Sequence, residues 1–364
     1  MDRRRCLIEL EPGELERFVV ERGGQAFHAK IARRAVVGQG VLEYERMTAL
    51  PAALRARLAE ELPVLSGTEI DRRVAPDRTT KLLVAFPSRK QEDASVEMVH
   101  MPSLYLGAEG AEESVPGATI CVSTQVGCPI ACPFCASGKL GLLRNLESHE
   151  ILEQFLRGRA IGPVARAVVM GMGEPLLNFE NLSRALVAVH DEMGLGSRKV
   201  TVSTVGFPDR LRKIAPSKPR FQLAISLHTA VQAQRDELVP AMRGVPIDEI
   251  LAAGDDWFER TGREVTYEVA LLAGENDSAE HAGALARALR GRRCTVNLIP
   301  FNAVDGTTYF RPEHAAIEAF RGTLERAGIV ATVRYSRGLE GDAACGQLRV
   351  RHREASAPWN SGPG

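Results

Sequence analysis

The chain has 364 residues, 45% of them hydrophobic and 25% charged, and its Lys+Arg total of 46 equals its Asp+Glu total. That length suffices for one large domain with a smaller one, and the even charge leaves any nucleic-acid-binding surface to local clustering. No run of about 18 apolar residues occurs and the start, MDRRRCLIELEPGELERF, lacks a signal peptide's apolar stretch, so a soluble cytoplasmic protein is expected.

Residues 8–75 read as helices, because EPGELERFVVERGG and LPAALRARLAEELPV repeat apolar residues at three- and four-residue spacing. From about 76 to 104 the pattern alternates, and TKLLVAFPS and SVEMVHMP predict a hairpin joined by RKQEDA. A Gly/Glu-rich loop, LGAEGAEESVPG, follows. From residue 118 seven short β-branched runs appear: ATICVST, RAVVMGMG, KVTVSTVG, FQLAISLH, EVTYEVALLAG, CTVNLIPFN and ATVRYSRG. Amphipathic stretches such as NLSRALVAVHDEMG, IDEILAAGDDWFERTG and AAIEAFRGTLERAG separate them. Alternation of apolar strands with helices predicts a parallel α/β sheet, open or closed into a barrel. The tail, REASAPWNSGPG, reads as disordered. The expected organisation is a helical accessory domain over 1–75, a hairpin linker and loop over 76–113, an α/β core over 114–347 and a basic tail over 348–364.

Unusual residues collect where each strand ends. They are Gly173 and Glu174, Ser203, Ser226 with His228, Asn302, and Cys345 after the last strand. Parallel α/β folds bind ligands at that edge, so one shared pocket is expected. Cys128, Cys132 and Cys135 form a C-x-x-x-C-x-x-C triplet in GCPIACPFCASG. Three readings are open: a zinc knuckle with a fourth ligand from Cys121 or a histidine, inert thiols, or a [4Fe–4S] cluster with one iron left to bind a cofactor. The same triplet after a strand is the signature of radical S-adenosylmethionine (SAM) enzymes, whose open iron chelates the amino and carboxylate groups of SAM. In VVMGMGEP, glycines admit a close ligand and Glu174 can accept from an ammonium. Cys121 lies seven residues before Cys128, and Cys345 sits in LEGDAACGQL. Cys6 and Cys294 match no motif and read as structural.

With CVSTQVGC, the triplet, GMGEPLLN and ACGQL together, the sequence closely resembles the RlmN/Cfr family of radical SAM RNA adenine methyltransferases. The matching motifs extend from about residue 96 to 348. The resemblance implies a partial (β/α)6 barrel behind a small helical domain. It implies that one SAM methylates Cys345 and that a second, cleaved at the [4Fe–4S] cluster by an external electron donor, yields a 5′-deoxyadenosyl radical. That radical takes hydrogen from the S-methyl group, and the carbon radical adds to an adenine ring. Cys121 then resolves the adduct through a transient disulfide with Cys345, which a reducing compartment permits. Glu97, in SVEMVHMP, lies on the face of Val99 and Met101. By itself it reads as an edge residue; the resemblance makes it the proton acceptor, with burial raising its pKa. SAM contacts are implied at Gly173, Glu174, Ser203, Ser226, Leu227, His228 and Asn302.

The implied substrate is an adenosine swung out of folded 23S rRNA, and in many members also one in tRNA. Basic elements that could hold RNA are RRR at 3–5, KIARR at 30–34, SRK at 197–199 and RVRHR at 349–353. GMGEPLLN is closer to the RlmN branch, which acts on carbon 2, than to the Cfr branch, which acts on carbon 8. The segment IARRAVVGQGVLEYERMTALP lacks the tryptophan-aromatic stretch expected before F-x-x-M-T-x-L, and the loop between Glu97 and Cys121 is long for the family. Rival functions are a radical SAM enzyme with a non-RNA substrate, a zinc-containing RNA-binding module and an inactive rRNA binder.

Overall fold

The computed structural model describes residues 5–87, 94–106, 112–335 and 344–348. Arg3, Arg4, the hairpin tip RKQEDA up to Asp93, residues 107–111 of the Gly/Glu-rich loop, the RVRHR element and the tail lie outside the described residues, and the rest of that expected loop is strand.

Three helices come first, α1 (Pro12–Glu21), α2 (Ala26–Arg33) and α3 (Ala52–Glu61). Pro12 sits in the first turn of α1, where its missing N–H costs nothing, and Glu14 reaches back to the Glu11 N–H at 3.0 Å. The helical expectation fails over residues 68–74, which form strand β1 (Thr68–Val74). The segment pairs antiparallel with β2 (Thr80–Phe86), and this ladder overrides its weak helical pattern.

The hairpin is found as expected, β2 against β3 (Ala94–Leu106) with Leu83 opposite Glu97. Strand β4 (Glu112–Cys121) continues the antiparallel run, with Val99 opposite Cys121. Then the sheet turns parallel. After the short ribbon β5 (Gln125–Gly127), α4 (Ala136–Lys139) and β6 (Leu142–Asn145), six helical crossovers carry the chain back to the same edge. In order these are α5 (Ser148–Ile161), β7 (Val164–Val169), α6 (Phe179–Asp191), β8 (Val200–Thr204), α7 (Pro208–Ile214), β9 (Gln222–Ser226), α8 (Gln232–Leu238), α9 (Ile247–Thr261), β10 (Val265–Leu271), α10 (Ala279–Leu289), β11 (Cys294–Pro300), α11 (His314–Arg326) and β12 (Val330–Val333).

The sheet order is β1-β2-β3-β4-β7-β8-β9-β10-β11-β12, ending in β1 on one side and β12 on the other. The seven strands from β4 onward are parallel, each following the last, which is a partial (β/α)6 barrel left open. Strands β8, β9 and β10 are largely buried because helices cover one face and the barrel interior lies on the other. Trp257 of α9 is wholly buried and stacks on Phe221 with centroids 5.5 Å apart. Between α3 and β1, the buried Glu153 carboxylate of α5 accepts from the Ser66 and Gly67 N–H groups at 2.7 and 3.1 Å. Among the described residues no helix is long and apolar enough to cross a membrane.

Candidate active site

The cysteine loop runs from the end of β5 to the start of α4. It is closed by the Cys128 N–H on the Gly141 carbonyl at 2.9 Å and the Cys135 N–H on the Cys132 carbonyl at 3.1 Å. Cys128, Cys132 and Cys135 line one cavity at the C-terminal edge of the parallel strands. Burial pushes the Cys128 thiol up to about 12 and Cys132 well above its ordinary value, and the neighbouring sulfurs push further. Thiolates crowded and desolvated in this way are stable as ligands to a cation. The described residues hold one trio of potential ligand atoms all within 4.8 Å of one another, and it is Cys6, Glu9 and His149 rather than this triplet. Three cysteines of one loop lining a shared cavity fit a [4Fe–4S] cube with one iron left open.

Beyond β7 the chain passes under this loop. Gly173 has φ +101°, and a Cβ there would lie 2.6 Å from Gln125 Cβ and 2.8 Å from the Gln125 nitrogen. No other residue fits. The Glu174 N–H donates to Gln125 Oε1 at 2.7 Å. The buried Glu174 carboxylate accepts from the N–H groups of Leu176 and Val205, each at 2.9 Å, so it braces the end of β7 against that of β8. Burial raises its pKa, while hydrogen bonds from Thr204, Val205 and Leu176 oppose the rise.

Three neighbouring strands add a polar wall. Ser203 Oγ of β8 donates to Glu268 Oε2 of β10 at 2.6 Å and lies 3.1 Å from Ser226 Oγ of β9. His228 follows β9 with φ +63°, its Nδ1 accepting from the Ala270 N–H at 3.2 Å and its ring edge-on to Phe134 at 5.0 Å. Burial pushes this imidazole down to about 3, so the ring is neutral. Behind the wall the buried Arg235 donates to the carbonyls of Ser226 and Val205 at 3.1 and 2.7 Å and also to that of Leu227. Ser203, Ser226, His228, Glu268 and Asn302 all line the cavity. Leu227 does not: its side chain is fully buried, and only its backbone is near the wall.

Cys345 lines the cavity beside Gly346. Its segment is tied down from three sides. Asn302 Nδ2 donates to the Cys345 carbonyl at 3.0 Å, Gln347 Nε2 to the Ala303 carbonyl at 2.8 Å, and the Ala136 N–H to the Gly346 carbonyl at 2.8 Å. Cys121, buried at the end of β4, is close enough that the Cys345 sulfur adds to its pKa. Burial is the main cause and pushes the Cys121 thiol up to about 12. Burial likewise raises Cys345, while the Arg334 guanidinium pulls both thiols down. None of the seven cysteines is joined in a disulfide.

Glu97 of β3 is buried but does not line this cavity. Its carboxylate is ion-paired with Lys81 Nζ at 3.1 Å, and its backbone carbonyl accepts from Ser123 Oγ at 2.7 Å, two residues beyond Cys121. Sequence reasoning misses Lys81, Glu268, Arg235 and Arg334. Glu268 in EVTYEVALL is a charge on an apolar face, a signal that could have been read. Lys81 lies diagonal to Glu97 once the hairpin register is known. Of the basic elements, Arg5 is bound bidentate to Glu14 at 2.9 and 2.8 Å and Arg33 to Glu192 at 2.7 Å, whereas Lys30, Arg34, Arg198 and Lys199 are exposed.

Residues 122–285 match the Radical SAM superfamily. A protein of Nostoc punctiforme named "Probable dual-specificity RNA methyltransferase RlmN" is 42% identical over 346 residues, covering 94% of this chain and 93% of the relative. One of the same name from Rhodopirellula baltica is 41% identical over 361 residues, covering 98% and 93%. The crystal structure of a radical SAM methyltransferase from Sphaerobacter thermophilus superposes with a TM-score of 0.84 at 37% identity, over 95% of this chain and 99% of that one. With its triplet and its open parallel barrel, the chain belongs to the RlmN branch of the RlmN/Cfr family of radical SAM RNA methyltransferases.

Proposed function

We propose that this chain methylates carbon 2 of an adenosine in 23S rRNA, and of one in tRNA, using two SAM molecules per turnover and Cys345 as carrier of the methyl carbon. What supports this reading above all is that a single cavity is lined by the cysteine triplet, Ser203, Ser226, His228, Asn302 and Cys345. Carbon 2 of adenine is not a nucleophile, so transfer from a sulfonium by displacement is closed to it. When bound by Cys128, Cys132 and Cys135, the cluster supplies an electron and an open iron position for SAM, and hence radical chemistry.

The remaining work falls to the chain. Gly173 lets the bound cofactor approach the backbone, and the Ser203–Ser226–Glu268 wall offers hydroxyl and carboxylate partners to its sugar. Burial raises the pKa of both Cys345 and Cys121, and the Arg334 guanidinium offsets part of that rise at each. On losing its proton, Cys345 accepts the methyl group and becomes a thioether. Glu97 takes the proton from the methylated ring carbon, with Lys81 holding the carboxylate. Cys121 attacks the Cys345 sulfur, releasing the methylated base and leaving a disulfide for external thiols to reduce. Exposed Lys30, Arg34, Arg198 and Lys199 supply charge for the RNA backbone, and α1–α3 form the accessory RNA-contacting region.

The test is mass spectrometry of the anaerobically reconstituted protein. A methyl group on Cys345 is expected, as is a covalent RNA adduct in Cys121→Ala. Sequencing the trapped fragment names the RNA, and nucleoside analysis distinguishes 2-methyladenosine from 8-methyladenosine. Unmodified Cys345 in the presence of SAM and reductant, or full product formation by Cys345→Ala, would sink the reading.

A further inference from the structure

Outside the residues that line the cavity, the first described turn meets the start of α5. Cys6, Glu9 and His149 there bring a sulfur, a carboxylate oxygen and a ring nitrogen within 4.8 Å of one another. Cys6 is completely buried, His149 nearly so at 4% exposed, and Glu9 half-buried. The short turn Leu7–Glu9 packs on α5 and presents the first two donors from one side, while α5 presents the third from the other.

We infer that these three residues form a zinc site, independent of the methyl-transfer chemistry. Mixed sulfur, nitrogen and oxygen donors suit this borderline-soft ion, which takes four ligands. The surroundings match such a role. Glu147 Oε2 stands 3.4 Å from His149 Nδ1, the outer carboxylate that metal-binding histidines commonly carry. Glu9 is held in place by the Cys6 N–H, which donates to its Oε2 at 3.3 Å, and Arg5 Nε lies 3.6 Å from its Oε1. Glu9, Ser148 and His149 also line an outer groove, through which water completes the tetrahedron. The ion clips the N-terminal segment to α5 and binds with loss of the thiol proton, so its uptake rises with pH.

The experiment uses the full chain with its iron–sulfur cluster rebuilt without oxygen, so that the triplet is occupied, then equilibrated with zinc chloride. Iron and zinc per chain are measured together with X-ray absorption at the zinc edge. One zinc per chain is expected, with a single sulfur at about 2.3 Å and nitrogen or oxygen ligands at about 2.0–2.2 Å. Glu9→Gln, at a half-buried position, should weaken binding at least tenfold and abolish the zinc-dependent rise in Tm; Cys6→Ser should remove the sulfur from the spectrum. No zinc uptake, equal affinity in Glu9→Gln, or two or more sulfur ligands would each overturn the site.

Discussion

Lys81 Nζ stands 3.1 Å from Glu97 Oε1 with both side chains buried, so the carboxylate proposed to accept the ring proton is half of an ion pair. Removing one partner of a buried pair strands the other charge, at about 3–5 kcal/mol. Lys81→Met is therefore expected to lower unfolding free energy by roughly that amount in urea titrations. Adding Glu97→Gln should recover part of the loss. Strictly additive effects in this double-mutant cycle would show that the two groups are not coupled. Glu97→Gln alone should still allow methylation of Cys345 but stall turnover after the RNA adduct forms.

Gly173→Ala forces a Cβ to within 2.8 Å of the Gln125 backbone nitrogen at a φ of +101°. SAM affinity, measured by equilibrium dialysis on the reconstituted protein, should fall at least tenfold. Gly196→Ala is the control, since nothing lies within 4 Å of its Cβ position and its φ is −63°. It should leave both affinity and stability within about 0.5 kcal/mol of the original.

Arg235 holds the carbonyls of Ser226, Leu227 and Val205 with one buried guanidinium. Arg235→Met leaves those acceptors without their donor and should destabilise the chain by about 3 kcal/mol or more. Arg235→Lys should rescue little, because an ammonium cannot reproduce the planar fork. A lysine variant as stable as the parent in denaturant would refute this account of the turn.

His100 gives a pH dependence with a definite sign. Burial lowers its pKa, so the folded chain keeps the ring neutral where the unfolded chain, near 6.5, takes up a proton. Its contribution is complete above about 6.5 and is lost as pH falls through and below that value. Stability measured from pH 7 down to 5 should fall, and His100→Phe should flatten that limb. An unchanged slope in the variant would assign the acid loss to other groups.

The parallel strands are readable because each is a β-branched run closed by glycine or a polar residue, and the helices between them keep a 3.6-residue period. Ser203, Ser226, His228 and Asn302 stand out for the same reason: they interrupt apolar runs where the strands end. Strand β1 escapes notice because TEIDRRV is nearly all exposed, so its sequence carries no burial pattern. Leu227 illustrates the opposite limit. A motif marks a position, but only packing decides whether backbone or side chain faces a cavity. The pairings of Lys81 with Glu97 and Ser203 with Glu268 depend on strand register, which adjacent residues in sequence do not encode.

Ala136, the residue after a cysteine of the triplet, donates to the Gly346 carbonyl, and Ser137 Oγ donates to the Leu348 carbonyl at 2.7 Å. The two ends of the chemistry are thus stitched to each other by two hydrogen bonds. Loss of a metal from the first loop would also loosen the second. A metal-free chain would therefore lose its grip on both sulfur centres together, and rebuilding the metal should restore the two in one step.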